Sequence, residues 1–566
     1  MFNLTIMKLK RFLTIAILSL MSFQGYATHL LGGEIVWKCK PNGKYQFTLV
    51  LYRECAGISL PTTAQSLATN AGVSISCAFI STTDVVPSCY TGTTTCAGAT
   101  SGTGKMQKYV YRSGDITLTG TPPASGWYFT WNSCCRPGSI SNVVSPGGAS
   151  YLLRAVMYPY TPPGATAPLS AGTSANPTCF DSSPNFLEDP QVISCTGVDV
   201  VYNNLGYDPD LDSLYYNWSY PWDASSFSAN PSTNSVNFVS GYTWNSPLPS
   251  GSTSTPASID GETGEVTFNS GVAGSWATCV VIEEWRCGQK VGEIYRDIPI
   301  VTLSCTPPTG LCSSAFVDEA PDMSLTPDNS LMNATVLTPV TNASGDTIYY
   351  YTEVFPGDTV RFKITASDAY PNPNCSSQNI QFSASGGNLS SAANYGNANS
   401  CLFNPPCATL TSLNPGGVFT YPGLNDAQFN WNITCDHLFY QEYQCGTLKS
   451  EYSFYLRMQD DQCPINRFSY KKVVVKVKNY MPGMPNVDNT CIQQDDLGVT
   501  FDWVANPDTG FNWDFYVINH IDTLGNTSIV DTIYDWSTQT YTHTGADPNA
   551  VNAYTIQVGG GCGLLS

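Results

Sequence analysis

Short runs in which apolar and polar residues alternate recur along the whole chain. Examples are "KYQFTLVLYREC", "EYSFYLRMQ" and "YKKVVVKVK". Because successive side chains of a strand point to opposite faces, this period of two predicts strands with one buried face. Gly, Pro, Asn, Asp and Ser clusters bound each run, and no long window keeps the i, i+3, i+4, i+7 spacing of an amphipathic helix. The pattern predicts an all-β protein, and its short strands suit either sandwiches or barrels; we predict tandem β-sandwiches.

Turn-rich stretches divide these runs into four predicted units. The predicted units are residues 28–178, 179–306, 307–482 and 483–566, which suits 566 residues at an ordinary domain size. Pro482 and Pro485 in "KNYMPGMP" predict the last linker. Because the later units each end in a strand followed by a turn-rich segment, we expect an elongated rod.

The N-terminus has the layout of a secretory signal peptide. Lys8, Lys10 and Arg11 precede an apolar run from 12 to 23, and Ala27 ends a small-residue cleavage site. The alternative is a membrane anchor, but the run is too short for the roughly 20 residues that cross a bilayer. Residues 1–27 are therefore predicted to be a signal peptide, and the mature chain to be secreted or at the cell surface, without a transmembrane segment.

The cysteines predict a disulfide framework. There are 21, none in a CxxC pair, and an exported chain of this kind uses cysteines as disulfides more often than as zinc ligands. Cys491 and Cys562 bracket the last unit, and Cys195 and Cys305 bracket the second, so each pair is predicted to bond. Adjacent Cys134 and Cys135 are expected to have different partners, because neighbours on a strand face opposite sides.

The formal charge of −19 limits the classes of partner. Nucleic acids and anionic membrane surfaces both select Lys- and Arg-rich proteins. An acidic chain is instead suited to the extracellular medium and supplies oxygen ligands for divalent cations.

One acidic motif is a candidate cation site. In "GYDPDLDSLYY", Asp208, Asp210 and Asp212 occupy alternate positions, where their carboxylates can turn inward and offer the hard oxygens that Ca²⁺ prefers. Asp260 in "IDGETG" is a possible fourth ligand from another turn. The motif is not an EF-hand, because Ser213 and Ser219 stand where that loop needs Gly and Glu. The alternative is a solvated turn without a metal.

Candidate catalytic groups are few. The sequence has no GxSxG, HExxH or P-loop motif. Cys435 and His437 lie close in sequence, but Cys435 is predicted to form a disulfide. Glu283 and Glu284 are read as ordinary strand residues, and Trp503 in "FDWVANP" as a buried sandwich tryptophan. We therefore predict a protein that is not an enzyme.

Several segments together resemble a known family. They include "THLLGGEIVWKCKPNGKYQFTLVLYREC", "NSCCRPGSISNVV", "YDPDLDSLYYNWSYP", "IDGETGEVTFN", "VIEEWRCGQKVGEIYRDI" and "RMQDDQCPINRFSYKKVVVKV". Over nearly all of the mature chain they resemble the N-terminal part of large exported Bacteroidota proteins described as gliding-motility-associated. "GGEI", "CCR" and the "RD" before the last strand of the second unit are the more specific motifs. The resemblance implies a Cys-rich β domain at 28–178, then cadherin-like (179–306), Ig/PKD-like (307–482) and fibronectin type III-like (483–566) domains.

The resemblance also bears on the acidic motif and on function. "DPDLDSL" is similar to the calcium-binding turn of cadherin-like domains, although Leu211 stands where that turn commonly has Gly. The family further implies type IX secretion, yet this chain shows no sorting domain at its end. We expect an adhesin-like protein that binds a surface polysaccharide or protein and has a role in gliding or surface colonisation. The alternatives are a binding region of a secreted hydrolase whose catalytic domain lies beyond residue 566, and a purely structural stalk.

Overall fold

The computed structural model describes residues 30–566, apart from 86–95, 97–104, 173–178, 191–192, 225–233, 251–253, 306–319, 328–334, 344, 369–376, 392–394, 402–404, 439–448, 462–465, 479–492, 496–497, 504–512, 548–549, 551, 561, 563 and 566. Within these residues the regular structure is almost entirely strand, which confirms the all-β prediction.

The strands are β1 Leu30–Cys39, β2 Tyr45–Glu54, β3 Gln65–Thr69, β4 Ile75–Val85, β5 Met106–Ser113, β6 Trp127–Cys134, β7 Ser150–Met157, β8 Asn185–Phe186, β9 Ile193–Cys195, β10 Asp199–Asn203, β11 Gly206–Tyr207, β12 Ser213–Trp218, β13 Thr255–Ile259, β14 Glu265–Asn269, β15 Gly274–Arg286, β16 Gln289–Leu303, β17 Asp322–Pro327, β18 Thr338–Thr341, β19 Thr347–Val354, β20 Thr359–Ser367, β21 Asn379–Gly386, β22 Thr409–Ser412, β23 Thr420–Pro422, β24 Leu424–Asn432, β25 Lys449–Gln459, β26 Phe468–Lys478, β27 Gln493–Asp495, β28 Gly498–Asp502, β29 Trp513–Ile521, β30 Thr527–Ile533, β31 Thr540–His543, β32 Ala553–Gly560 and β33 Leu564–Leu565. Single 3₁₀ turns lie at Pro146–Gly148, Pro415–Gly417 and Cys435–His437.

The largest sheet takes in both of the first two predicted units. Its strands pair in the order β1-β2-β5-β4-β3-β6-β7-β16-β15-β12, and β9 runs parallel to β16. β1 also pairs with β16, which closes the strands from β1 to β16 into a ring. Large side chains such as Trp37, Phe47, Tyr111 and Phe129 fill this ring as one core.

Strand β16 is shared between two cores. Its Ile294 packs inside the ring, whereas its Ile300 packs with Trp218 and Phe268 in a second core. Phe268 lies on a three-stranded sheet, β10-β14-β13, and Trp218 on β12 of the large sheet. The predicted boundary between residues 178 and 179 therefore does not separate two independent sheets, because β16 from the second predicted unit pairs with β1 and β7 of the first.

Three short motifs build the seam between β1 and β16. A Cβ at Gly32 would lie 1.7 Å from the carbonyl oxygen of Asp297, and φ there is +142°, so the position requires glycine. Glu34 accepts hydrogen bonds from Nε and Nη2 of Arg296 at 2.6 and 3.0 Å. Arg136 donates to both carboxylate oxygens of Asp297, at 2.9 and 2.6 Å. The motifs "GGEI", "CCR" and "RD" thus meet at one buried seam.

The rest of the chain forms two sandwiches. In the first, the sheet β17-β20-β24-β22 faces the sheet β18-β19-β26-β25-β21-β23, and Phe429, Trp431 and Phe454 lie in the core between them. These strands lie between residues 322 and 478. In the second, β27-β28-β31 faces β30-β29-β32-β33. Trp503 is 2% exposed in its core, as predicted.

The disulfides confirm one predicted pair and correct another. Cys195 bonds to Cys305, as predicted. Cys562 bonds to Cys435, so the predicted pair of Cys491 with Cys562 is wrong; Cys491 itself lies outside the described residues. The physical reason is that Cys562 packs against the core of the preceding sandwich, next to Cys435.

Other cysteines pair over short and long distances. Cys134 and Cys135 bond to each other, contrary to expectation, because β6 ends at Cys134 and the strand alternation does not extend to Cys135. Three further disulfides join cysteines within the described residues: Cys39–Cys179, Cys55–Cys96 and Cys401–Cys407. Cys77 and Cys279 are buried free thiols.

The predicted signal peptide, residues 1–27, lies outside the described residues. In the part of the chain that the structure describes, no helix has the length and hydrophobicity to cross a bilayer.

Candidate functional site

The loop between β11 and β12 carries the three alternating aspartates. Oδ1 of Asp208 accepts hydrogen bonds from the backbone N–H groups of Asp210 and Asp212, at 2.8 and 3.0 Å. Leu211 has φ +59°, a left-handed conformation that is unfavourable for a residue with a Cβ atom. Its side chain packs against the core of the sandwich formed by β17 to β26. The motif is therefore a tight turn that Asp208 closes and that Leu211 attaches to the next unit.

Beyond this turn, acidic side chains converge on one arginine. Arg286, at the end of β15, donates from Nε to both carboxylate oxygens of Asp212 at 2.9 Å. Its Nη1 donates to the carbonyl oxygen of Phe180 at 2.8 Å. Its Nη2 contacts Asp212, lies 3.1 Å from Asp181 and 3.5 Å from Asp210, and is 3.8 Å from Glu284. A single guanidinium thus contacts four carboxyl groups.

The cluster carries more negative than positive groups. Four carboxyl groups contact Arg286, a fifth, Asp208, lies beside Asp210 and Asp212, and the side chain of Glu284 is fully buried. Asp181 and Glu284 lie within hydrogen-bond reach of each other, a contact that requires a proton on one of the two carboxyl groups. Oδ2 of Asp208 has no hydrogen-bond partner among the described residues. One guanidinium cannot balance this many carboxylates in a buried place, so some of them are held protonated.

Burial is the main cause of the shifted acidities. It raises the pKa of Asp181 to about 7 and that of Asp210 to about 6, and Arg286 offsets only part of this rise. Burial, together with the neighbouring carboxylates, also holds the pKa values of Asp208 and Glu284 well above their usual range. The cluster therefore takes up protons near neutral pH.

The structure brings together two of the four predicted metal ligands. Asp208, Asp210 and Asp212 lie in the same turn, but only Asp210 and Asp212 of the four belong to the group whose carboxylate oxygens lie within 4.8 Å of one another. The carboxylate of Asp260 instead closes its own turn between β13 and β14, where Oδ1 accepts hydrogen bonds from N–H and Oγ1 of Thr263 at 2.7 and 2.8 Å. Asp260 is therefore a turn residue.

The calcium site stays a prediction, and the geometry bears on its fit. One carboxylate oxygen from each of Asp181, Asp210, Asp212 and Glu284 lies within 4.8 Å of the others, a spacing that a Ca²⁺ ion with bonds of about 2.3–2.6 Å can bridge. However, Nη2 of Arg286 contacts all four groups. The guanidinium occupies the place of a cation, so the residues in this arrangement do not fit Ca²⁺ while Arg286 stays there.

Sequence reasoning missed Asp181, Glu284 and Arg286 as members of the cluster. Glu284 and Arg286 are two apart on β15, which places them on the same face of the strand. Gly292 lies opposite Glu284 on β16, and a Cβ there would be 2.3 Å from Oε2 of Glu284. A Glu-x-Arg strand facing a glycine was the available signal. Asp181 is distant in sequence from both and carries no local signal.

A cleft begins beside the acidic turn. One wall is the loop 206–214 and the turn 260–265, and the other is the outer face of β19, β25 and β26. Two adjoining hollows of about 240 and 550 Å³ make up the cleft and share Tyr349, Tyr455 and Lys472. The walls touch where the hydroxyl of Tyr455 donates to the carbonyl oxygen of Gly206 at 3.1 Å. The acidic turn thus helps to form an open site between two units of the protein.

Comparison with known proteins gives likeness of structure only at a low level. No family model and no curated protein matches the chain. Domains A168–A170 of titin align with 68% of this chain and 94% of theirs, at 10% identity and a TM-score of 0.15. The D1–D4 ectodomain fragment of ICAM-5 aligns with 94% of this chain and 100% of its own, at 9% identity and a TM-score of 0.14. The human desmocollin-1 ectodomain aligns with 81% of this chain and 86% of its own, at 10% identity and a TM-score of 0.13. With TM-scores this low, these likenesses carry no argument about function.

Proposed function

We propose that the protein is a non-enzymatic, extracellular binding protein of the adhesin type. The observation that carries this proposal is the open cleft between two disulfide-bonded β units. Disulfides that join residues 140, 110 and 127 positions apart support an oxidising, extracellular location. The partner would be a surface polysaccharide or a protein, and the resemblance to gliding-motility-associated proteins supports a role at the cell surface.

The candidate catalytic groups have structural partners, which supports a binding role. Cys435 is oxidised in a disulfide with Cys562. His437 is buried, its Nδ1 accepts a hydrogen bond from the backbone N–H of Thr434 at 2.9 Å, and its Nε2 lies 3.1 Å from the carbonyl oxygen of Pro406. Both side chains thus hold the fold at the end of β24.

Binding by the purified secreted chain, residues 28–566, tests the proposal. The oxidised protein would be immobilised on a biosensor and exposed to a panel of polysaccharides and extracellular proteins, with the reduced and alkylated protein as control. We expect saturable binding to at least one member, and loss of that binding after reduction. Binding to none would indicate a passive stalk, and release of reducing sugars or peptides would indicate a hydrolase; either result would overturn the proposal.

A further inference from the structure

The outer face of one sheet lines the cleft with tyrosines. On β25 and β26, Phe454 and Val475 point into the sandwich core, so the alternate residues Tyr455 and Lys472 point outward. The same alternation on β19 turns Tyr349 and Tyr351 outward, since Tyr350 between them packs on the core. Tyr349 and Tyr351 are half-buried, so each leaves part of its ring open to the cleft.

Polar groups of the opposite wall line the larger hollow together with Tyr349. Ser258, Thr267 and Asn203 lie on β13, β14 and β10, and Thr347 and Asn342 add a hydroxyl and an amide from the β18–β19 side. Aliphatic side chains are a minority of the lining. An apolar ligand would therefore find little surface to bury, whereas a ligand rich in hydroxyl groups would find both donors and acceptors.

The charges of the cleft exclude an anionic ligand. Five carboxylates line the two hollows away from the acidic cluster: Asp260, Glu262, Glu265, Asp346 and Glu451. They face two lysines, of which Lys472 donates to the backbone carbonyl of Glu262 at 2.9 Å and so bridges the walls. Nζ of Lys472 also lies 5.8 Å from the ring centroids of both Tyr349 and Tyr455. The excess of carboxylates repels sulfated and uronic acid chains.

From these observations we propose that the cleft binds a segment of a neutral polysaccharide, with Tyr349 and Tyr351 stacking on pyranose rings. A pyranose presents a flat face of C–H groups to an aromatic ring and hydroxyl groups at its edge, which matches rings on one wall and small polar side chains on the other. The larger hollow has the size of known ligand pockets, about 300–1,000 Å³. The inference deepens the proposed function and rests on it.

The test uses the secreted chain and isothermal titration with four neutral hexasaccharides: cello-, xylo-, manno- and maltohexaose. At least one is expected to bind the wild type. Tyr349→Ala and Tyr351→Ala should each weaken that binding about tenfold or more, as truncation of a central aromatic contact does. Tyr534→Ala is the matched control, because Tyr534 is an exposed tyrosine, 74% accessible, in the last sandwich. Tyr349→Phe should keep binding, since stacking needs the ring and not the hydroxyl. Unchanged melting temperatures establish that the variants are folded.

Three outcomes would overturn this inference. Hexasaccharide binding that survives both alanine variants would place a glycan site elsewhere and leave the proposed function standing. Selective binding of polygalacturonate or of a lysine-rich peptide would assign the cleft a different ligand class, again with the binding function intact. If no hexasaccharide binds but proteins in the biosensor panel bind saturably, the polysaccharide inference is overturned and the proposed binding function still stands. Failure in both experiments would overturn both proposals.

Discussion

Arg286 forms salt bridges with four carboxyl groups that come from three separate parts of the chain: Asp181, the turn with Asp210 and Asp212, and Glu284 on its own strand. Each of these groups would be costly to bury alone. The arginine is therefore the cation on which these four buried carboxyl groups depend.

The substitution Arg286→Gln should strongly destabilise the protein. It leaves several buried carboxylates without a counter-ion, and breaking a buried ion pair by removing one partner costs about 3–5 kcal/mol. Urea unfolding at neutral pH measures the loss. The control is Lys40→Gln, because Lys40 pairs with Asp115 at 2.6 Å on the surface, where an ion pair contributes at most about 1 kcal/mol. Similar losses in both variants would show that Arg286 is not the central cation.

Calcium should distinguish the variant from the wild type. If the guanidinium fills the cation position, the melting temperature of the wild type is the same in millimolar Ca²⁺ and in chelator. In Arg286→Gln the vacated carboxylates can bind Ca²⁺ in the folded state only, and a hundredfold excess over Kd would then restore about 2.7 kcal/mol. A calcium-dependent rise in the wild type would instead support the site predicted from "DPDLDSL".

The contribution of the cluster to the free energy of unfolding should fall as the pH rises from about 4 to about 7. Asp181 and Asp210 hold protons more tightly in the folded protein, with pKa values of about 7 and about 6, than in the unfolded chain, where carboxyl pKa values are about 4. The stabilisation from this tighter proton binding is fully present below the pKa of the unfolded chain, and it is lost as the two groups ionise in the folded protein. Asp181→Asn, which cannot titrate, should therefore lose less unfolding free energy than the wild type between about pH 5 and pH 7.5. Parallel pH profiles would contradict the assignment.

At the residue scale, the sequence predicted what lies within one turn. The spacing of Asp208, Asp210 and Asp212 indicated an acidic turn, and Asp208 accepts hydrogen bonds from the backbone N–H groups of Asp210 and Asp212 there. Asp210 and Asp212 belong to the carboxylate group around Arg286, whereas Asp208 does not, and calcium binding stays a prediction. Asp260 was wrongly added, because the sequence does not show that its carboxylate closes its own turn. The arginine was missed for a related reason: which buried charges meet depends on strand register over about a hundred residues.

At the scale of elements, the alternating runs predicted strands well. "KYQFTLVLYREC", "EYSFYLRMQ" and "YKKVVVKVK" correspond to β2, β25 and β26. The period of two reports a strand and its buried face but not its neighbour. Hence the pairing of β1 with β16, across more than two hundred residues, was not predicted, and one sheet was divided into two units.

Gly32→Ala should open the seam between these two strands. The new Cβ would overlap the carbonyl oxygen of Asp297, so the strands must separate, and a loss of about 3 kcal/mol is expected. Gly120→Ala is the matched control, because Gly120 also has positive φ, +89°, but no atom within 4 Å of an added Cβ. The free energy of unfolding of the control should fall by only about 1–2 kcal/mol, which is the cost of the left-handed conformation for alanine. Chemical unfolding of both variants measures the difference, and equal losses would mean that contact with β16 is unimportant.

At the scale of the whole molecule, the Cys435–Cys562 disulfide joins two sandwiches. In the chain-entropy model, closing a loop of 127 residues stabilises the protein by about 5 kcal/mol, whereas the six-residue separation of Cys401 and Cys407 gives about 2 kcal/mol. The double variant Cys435→Ser/Cys562→Ser should therefore lower the stability more than Cys401→Ser/Cys407→Ser. Calorimetry of the two oxidised variants tests the order, and the reverse order would argue that the joint between the sandwiches does not depend on this bond.

The same long-range disulfides determine how the chain would respond to a pulling load. A covalent loop cannot lengthen when its sandwich yields, because tension passes through the sulfur–sulfur bond and bypasses the residues inside. The loop from Cys435 to Cys562 alone withholds 127 residues, about 430 Å of extended chain, and the loops closed by Cys39–Cys179 and Cys195–Cys305 withhold comparable lengths. Pulled from both ends, the protein would therefore lengthen mainly through residues 306–434, which lie outside these three loops and carry the strands β17 to β24.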